Sequence, residues 1–445
     1  MRRFVLLLPF VVLIIGSARP APGQPVQASA DRVLWELATW PGTDPVAPQT
    51  QADSGEDWFY SITRSLTDEQ EQDGFVAAGY STYAGLESTA CVEVCTDNNP
   101  TGPSCSLGTI AKIDAGGGVD WFNHNGLEGT YWRVISLEDG GFLAVGHSND
   151  RSLLGYNPPT TPVLPTLSCS PEGQADRRLM IVAKYNHAGT ELWRYAYGHM
   201  ADPDRHLPLV GDLAVQDRQD IAWDAVERPG GGYRVVGNAV DPHSGMNPRA
   251  FVMDLDPDGA LIDQRVFGDI GYRSEFMGIT RSDDDYFLVG TKYNDDYDTV
   301  PPPYGDVFVM HLGDDLMSAP VDSVLLTSSR DAQDTGYDIA IAGDGSVHVA
   351  TVLDCEAGGM GQCFRSFAGG VGEAVIFRLE ASDLGDFTTT SLGEVRAYDL
   401  FVRLTALSDG RVAVVSTKQL GGSINNQWDN TDAYVAILDE DATLD

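Results

Sequence analysis

Thr109-Ile110-Ala111-Lys112-Ile113-Asp114, a Gly116-Gly117-Gly118 turn, Val119-Asp120-Trp121-Phe122, then Tyr131 to Leu137, Asp139-Gly140-Gly141 and Phe142-Leu143-Ala144-Val145-Gly146: this stretch decides the fold. Its apolar residues alternate with period two and are punctuated by glycine and aspartate, the pattern of short antiparallel strands joined by tight turns. A near-copy follows in Ile181-Val182-Ala183-Lys184-Tyr185-Asn186, Gly189 and Leu192-Trp193-Arg194-Tyr195. Asp114 to Trp121 and Asn186 to Trp193 have the same spacing. Both tryptophans are therefore expected between neighbouring units, each indole N–H meeting a backbone carbonyl.

Working outward, the closing element recurs six times: Phe75 to Gly79, Phe142 to Gly146, Tyr233 to Gly237, Tyr286 to Gly290, Val347 to Thr351 and Arg411 to Val415. A repeated unit that cannot bury its own apolar face stacks on its neighbours. The expectation is an all-β, six-bladed β-propeller of four-stranded blades. The strand before each Asp-Gly turn is placed innermost, giving blades over 58–122, 131–195, 221–267, 276–326 and 337–387. The sixth has strands from Tyr398, from Arg411 and at 433–438, and lacks an outer strand. Val33-Leu34-Trp35-Glu36-Leu37 has the right character to supply it, so the N-terminal strand is expected to close the ring and remove a free edge.

Composition sets the compartment. Met1-Arg2-Arg3 precedes an apolar run from Phe4 to Ile15, and small residues near positions 23 and 30 suit cleavage. Residues 1–30 read as a signal peptide and 31–445 as one propeller domain. The chain is expected to be secreted, with periplasm or cell surface as its other exported destinations, and without membrane insertion. There are 65 acidic against 28 basic residues, a net charge of −37; 48 of the acids are Asp, and Lys112, Lys184, Lys292 and Lys418 are the only lysines. Such a surface repels nucleic acid and anionic lipid.

The long segments 84–106, 150–177, 296–304, 354–372 and 420–431 follow second strands, and 199–219 precedes an inner strand, so all open on one face. Long loops on a rigid scaffold carry recognition. Cys91, Cys95, Cys105, Cys169, Cys355 and Cys363 all fall in these insertions. An even count in an exported chain favours disulfides, Cys355 with Cys363 first, while the other four allow three pairings. A zinc site at Cys91, Cys95 and Cys105 is the alternative.

No His-Glu-x-x-His, Gly-x-Ser-x-Gly or phosphate-cradling glycine loop is present. His199, Asp202, Asp204 and His206 share one loop and offer ligands for a divalent metal, or simply a polar loop. Asp57, Asp220 and Asp334 each stand five residues before Ile62, Ala225 and Ile339, and Glu275 stands one position nearer its Ile279. These acids are expected at equivalent heights around the funnel mouth. There they cap their strands or converge on a cation, for which calcium is the expected partner. No other cofactor is called for.

The stretch from Thr109 to Trp121, with Arg133-Val134-Ile135-Ser136-Leu137-Glu138-Asp139-Gly140-Gly141 and Phe142 to Ser148, resembles the repeat of bacterial secreted β-propeller proteins. There each copy runs Lys-Leu-Asp, Gly, Trp, then Asp-Gly-Gly, an apolar run and Gly-Ser/Thr. It is more distantly similar to the tryptophan-docking blades of quinoprotein dehydrogenases. The resemblance covers residues 32 to 445 and implies the propeller fold. It implies no particular activity; the expected function is a non-enzymatic binding, adhesion or surface-structural module acting through the loop-rich face, whose partner is a glycan, a protein or a matrix or cell-surface component. The alternative is an extracellular enzyme using the central funnel, either a quinone-dependent dehydrogenase or a metal-assisted polysaccharide-cleaving protein. Six blades and the lack of an adjacent Cys-Cys pair argue against the dehydrogenase.

Overall fold

The protein is described from a computed structural model covering residues 57–66, 72–81, 107–114, 117–148, 179–197, 220–240, 248–268, 273–293, 305–327, 333–356, 371–396, 402–407, 410–419 and 431–438. These residues form antiparallel sheets arranged as a six-bladed propeller. Blade one consists of β1 (Asp57–Leu66), β2 (Gln72–Ser81), β3 (Leu107–Asp114) and the first half of β4 (Val119–Ser136). Blade two takes the second half of β4, β5 (Phe142–Ser148), β6 (Leu179–Tyr185) and β7 (Glu191–Tyr197). Blade three is β8 (Ile221–Glu227), β9 (Tyr233–Val240), β10 (Pro248–Leu255) and β11 (Leu261–Val266). Blade four is β12 (Ser274–Ser282), β13 (Asp285–Tyr293), β14 (Gly305–Leu312) and β15 (Asp322–Leu326). Blade five is β16 (Gln333–Ile341), β17 (Val347–Glu356), β18 (Val371–Glu380) and β19 (Asp383–Arg396). Blade six contributes β20 (Arg403–Ala406), β21 (Val412–Gln419) and β22 (Thr431–Leu438). The closing strand expected at 33–37, like the signal peptide, lies outside the described residues.

The blade order explains the sequence pattern. Second and third strands are covered on both faces by neighbouring blades, so β5 and almost all of β6 are buried and read as continuous apolar runs. Outer strands keep one face in water, and β15 and the start of β7 alternate or open out accordingly. Two strands run longer than expected. The outer strand of blade one and the inner strand of blade two are one uninterrupted β4, and β19 extends nine residues past Phe387 along β18.

Tight turns join the strands on one face. Asp139, Asp256 and Asp344 each accept an N–H two residues on, from Gly141 (2.9 Å), Asp258 (3.0 Å) and Ser346 (2.8 Å), and glycine at a positive φ completes each turn at Gly140, Gly259 and Gly345. The tryptophans stand where the spacing places them. Trp121 Nε1 donates to His187 O and Trp193 Nε1 to Pro257 O, each at 3.2 Å across a blade seam. Each indole lies against the turn glycine of the next blade, where a Cβ on Gly189 would come within 2.5 Å of Trp121 and one on Gly259 within 3.0 Å of Trp193.

Antiparallel order puts the start of every inner strand and the end of every second strand on the opposite face. The described strand ends that flank the long insertions lie there.

Candidate functional site: the axial funnel

Where the six inner strands converge, five share one irregularity. Pairing with the second strand slips by one residue between Phe59 and Ser61, Tyr131 and Arg133, Ala222 and Asp224, Phe276 and Gly278, and Gly336 and Asp338. Each slip is a β-bulge whose extra residue is freed from the ladder. The second strand must make room for it. A Cβ on Gly146, Gly237 or Gly290 would sit 1.7–1.9 Å from the carbonyl oxygen of Thr130, Ile221 or Glu275. The glycine that closes the repeat is therefore the socket of the bulge. In blade five, where Thr351 replaces it, the residue opposite is Gly336, so the small residue has changed strands.

The bulges build two layers on the axis. The first contains the extra residues Tyr60, Trp132, Trp223, Met277 and Tyr337, with Val402 from blade six. Trp132 stands between Tyr60 (ring centroids 4.5 Å) and Trp223 (4.8 Å) and stacks on His147. Its Nε1 donates to His147 Nδ1 at 2.9 Å, and Trp223 makes the equivalent bond to Asn238 Oδ1 at 2.9 Å. Trp223, Met277, Tyr337 and Val402 are at most 2% exposed, whereas Trp132 and Tyr60 are half-buried. The open side of the layer therefore belongs to blades one and two. Burial and the neighbouring Tyr80 hydroxyl push the Tyr60 phenol well above its ordinary range.

The second layer holds Ser61, Arg133, Asp224, Gly278, Asp338 and Arg403. Arg133 Nε lies 3.0 Å from Asp224 Oδ1, and Arg133 Nη1 lies 3.2 Å from Asp338 Oδ2. The side chain in each odd blade accepts a backbone N–H from the following even blade: Val134 to Ser61 (3.1 Å), Ile279 to Asp224 (3.2 Å) and Leu404 to Asp338 (2.9 Å). Each aspartate also accepts from the next residue of its own strand, at 2.8 and 3.0 Å. Gly278 has no side chain because a Cβ there would lie 3.0 Å from Asp338 Cα. Two arginines and two aspartates give the layer no net charge. Burial, opposed by Arg133 and Arg403 and helped by Asp338, pushes the Asp224 carboxyl up to about 6. Burial, with the repulsion of Arg133 behind it, lowers Arg403. The layer ties the blades together, with Arg133 of blade two reaching Asp224 of blade three and Asp338 of blade five.

The sequence-derived acids lie just ahead of this layer. Asp57, Asp220 and Asp334 each stand four residues before Ser61, Asp224 and Asp338, but only Asp57 is paired in its ladder: Asp220 precedes the first pair of β8, and Asp334 lies on a second irregularity between Gln333 and Thr335. Asp220, Asp334 and Glu275 are at most 1% exposed, built into the wall of the funnel. Glu275 is claimed within its own blade by Arg273 (3.3 Å) and the Tyr293 hydroxyl (3.2 Å). Among the described residues, no group of three His, Cys, Asp or Glu side chains is placed to hold a metal. The side chain of Asp57, the whole loop bearing His199, Asp202, Asp204 and His206, and Cys91, Cys95, Cys105, Cys169 and Cys363 lie outside the described residues. Cys355 corrects an expectation. It falls within β17, opposite Gln333, because that strand continues past an irregularity at Leu353–Glu356 instead of ending before the insertion.

Arg133, Asp224, Asp338 and Arg403 were not singled out from the sequence. Each directly precedes an aligned apolar residue (Val134, Ala225, Ile339, Leu404), so the signal was present. The bulge that turns this position toward the axis is not visible in a period-two pattern.

No family model and no curated protein matches the sequence. Solved structures of similar shape include an α-L-arabinanase of Penicillium chrysogenum complexed with arabinobiose (13% identity, 86% of this chain and 93% of that one, TM-score 0.49). They also include an ulvan lyase of polysaccharide lyase family 25 (9% identity, 87% and 85%, TM-score 0.45) and a streptogramin B lyase (10% identity, 89% and 84%, TM-score 0.39). Likenesses of this order carry no argument about chemistry. None of the described helices is long and apolar enough to cross a membrane.

Proposed function

We propose that the chain engages a glycan at the mouth of its funnel, over Trp132 and Tyr60. The observation behind this reading is the state of Trp132. It is a large indole on an inner strand, fixed by two aromatic neighbours and a hydrogen bond, yet half-buried. A preorganised aromatic surface in a concave mouth suits the apolar face of a sugar ring. The acidic composition disfavours polyanions.

Binding is the reading favoured over cleavage, because both axial carboxylates are already engaged by arginine and backbone N–H groups. The cleavage alternative keeps one observation in its favour: Asp224 sits near 6, within the range of a general acid. Affinity electrophoresis of the full chain against neutral polysaccharides, with a parallel assay for released chain ends, tests both. Retardation that Trp132→Ala abolishes, without release of ends, is the expected result. Release of ends moves the reading to an enzyme, and no retardation by any glycan overturns it.

A further inference from the structure

The two tryptophan seams are built alike and finish differently. Between blades two and three, the residue two beyond the indole is Tyr195, stacked on Trp193 at 5.5 Å and 22°. Tyr197 donates its hydroxyl to Gly259 O at 2.6 Å, and the turn continues into the apolar Ala260 and Leu261. That seam is dry. Between blades one and two, the same three positions hold Asn123, Thr190 and Glu191. There the seam opens into a groove of about 350 Å³, walled by Trp121 and Tyr185 and lined by Asn123, Gly189, Thr190 and Glu191.

The polar groups of the groove are held in place. Asn123 Nδ2 donates to Gly189 O. Glu191 accepts from the Tyr185 hydroxyl at 3.4 Å and lies 3.5 Å from Arg194, and Tyr185 bonds the buried Tyr131 hydroxyl at 3.1 Å. The docking of blades does not require this arrangement, since the sister seam does the same work without it. Three polar residues have replaced three that close the seam, and they do so together.

We propose that this groove is a second ligand site, taking one neutral saccharide unit. An amide, a carboxylate and hydroxyls beside an aromatic wall match the adjacent hydroxyls and C–H face of a sugar ring, and the volume is that of a small-molecule pocket. Glu191 and the acidic surface select against uronates and phosphates. The proposal does not rest on the funnel reading.

The test is saturation-transfer NMR on the full chain with free glucose, galactose, mannose, arabinose and rhamnose at millimolar concentration. Transfer to at least one sugar is expected in the wild type. The comparison is made in a Trp132→Ala background, which removes the funnel surface: transfer is expected to persist there, and adding Asn123→Tyr, which installs the sister residue, should weaken it at least tenfold with no further loss of melting temperature. Should Asn123→Tyr fail to fold, the pair Thr190→Ala and Glu191→Leu copies the sister turn instead and is read in the same way. No transfer to any sugar in the Trp132→Ala background, or transfer there that survives the groove variants, overturns the site, whereas loss of part of the signal on Trp132→Ala alone reports the funnel.

Discussion

The seams on either side of blade three use opposite physics on the same backbone atom. At the first two seams, an indole N–H reaches the carbonyl of the residue after Asn186 or Asp256, and the apolar ring lies over the turn glycine. At the seam of blades three and four, the equivalent carbonyl, Asp314 O, is met by Arg234, which is wholly buried. Its guanidinium also forks onto Asp254 at 2.7 and 2.8 Å, reaches Gly313 O at 3.0 Å and stacks 3.9 Å above Tyr286. The tryptophan seam is held by apolar burial and loses stability in proportion to what is removed. The arginine seam is held by a satisfied charge, and removal of one partner leaves the other stranded.

The largest effect should follow from breaking the second kind. Arg234→Ala leaves Asp254 buried, although Arg228 lies 3.4 Å from it, and should cost about 3–5 kcal/mol in urea unfolding. Trp193→Ala, which removes a partly exposed indole, should cost roughly 2 kcal/mol. Replacing both Arg234 and Asp254 with leucine should recover most of the loss, since apolar residues of similar volume can substitute for a buried pair. Equal costs for the two single variants would erase the distinction.

Gly189 sharpens the tryptophan side. It has φ +79°, and an added Cβ would meet the Trp121 ring at 2.5 Å, so Gly189→Ala combines backbone strain with overpacking and should cost about 3 kcal/mol. Gly345 has φ +87° with nothing within 4 Å, so Gly345→Ala should cost only the strain, about 1 kcal/mol. If the two match, the indole yields freely and the seam is looser than its geometry.

This contrast also marks how far the sequence can be read. Trp121 and Trp193 were legible because an indole at fixed distance from an Asp or Asn turn has one economical place in a propeller. Arg234 was not, because it occupies the position of Val76 and Leu143 in an otherwise apolar run, and its partners come from three separate stretches of chain. The blades were legible from period-two alternation. The axial layers were not, since a bulge adds one residue without changing composition. Of the expected site, the common spacing of Asp57, Asp220 and Asp334 ahead of the axial layer can be counted in the sequence, but the burial of Asp220 and Asp334 depends on blades that no local pattern describes.

His348 extends the comparison into pH. It occupies in blade five the register position of Arg234, paired across the ladder with Arg378, and is fully buried with Nε2 3.0 Å from Ser346 Oγ. Burial, with Arg378 adding to it against the pull of Asp344, lowers the imidazole from 6.5 to about 4. A depressed folded value means that its contribution is complete above about 6.5 and is lost as pH falls toward 4, where the unfolded chain takes up the proton first. The stability advantage of the wild type over His348→Gln should therefore shrink by about 2–3 kcal/mol from neutral pH to pH 4, read from urea midpoints. Asp224 runs the other way. Its raised value disfavours the folded state as pH climbs through 6, so the whole-protein profile understates the histidine and the difference between variants is the quantity to measure.

The smallest effect concerns the lysines, which the acidic composition makes conspicuous. Lys112 and Lys184 hold equivalent places on β3 and β6, opposite Trp121 and Trp193, and each clips an acid of its own blade's inner turn: Asp73 at 2.7 Å and Asp139 at 2.7 Å. The environments differ. Burial alone would raise the Asp73 carboxyl, but the hydrogen bond from Lys112 and the charges of Lys112 and His187 hold it at about 2. Asp139 is more exposed, at 52% against 29% for Asp73, so water screens its pair more strongly. Double-mutant cycles should give about 1 kcal/mol for Lys112 with Asp73 and about 0.5 kcal/mol or less for Lys184 with Asp139. Raised salt should weaken the second pair more than the first. A larger coupling at Asp139 would mean that the Tyr233 ring beneath Lys184, 5.7 Å from its ammonium, contributes more to that clip than the carboxylate does.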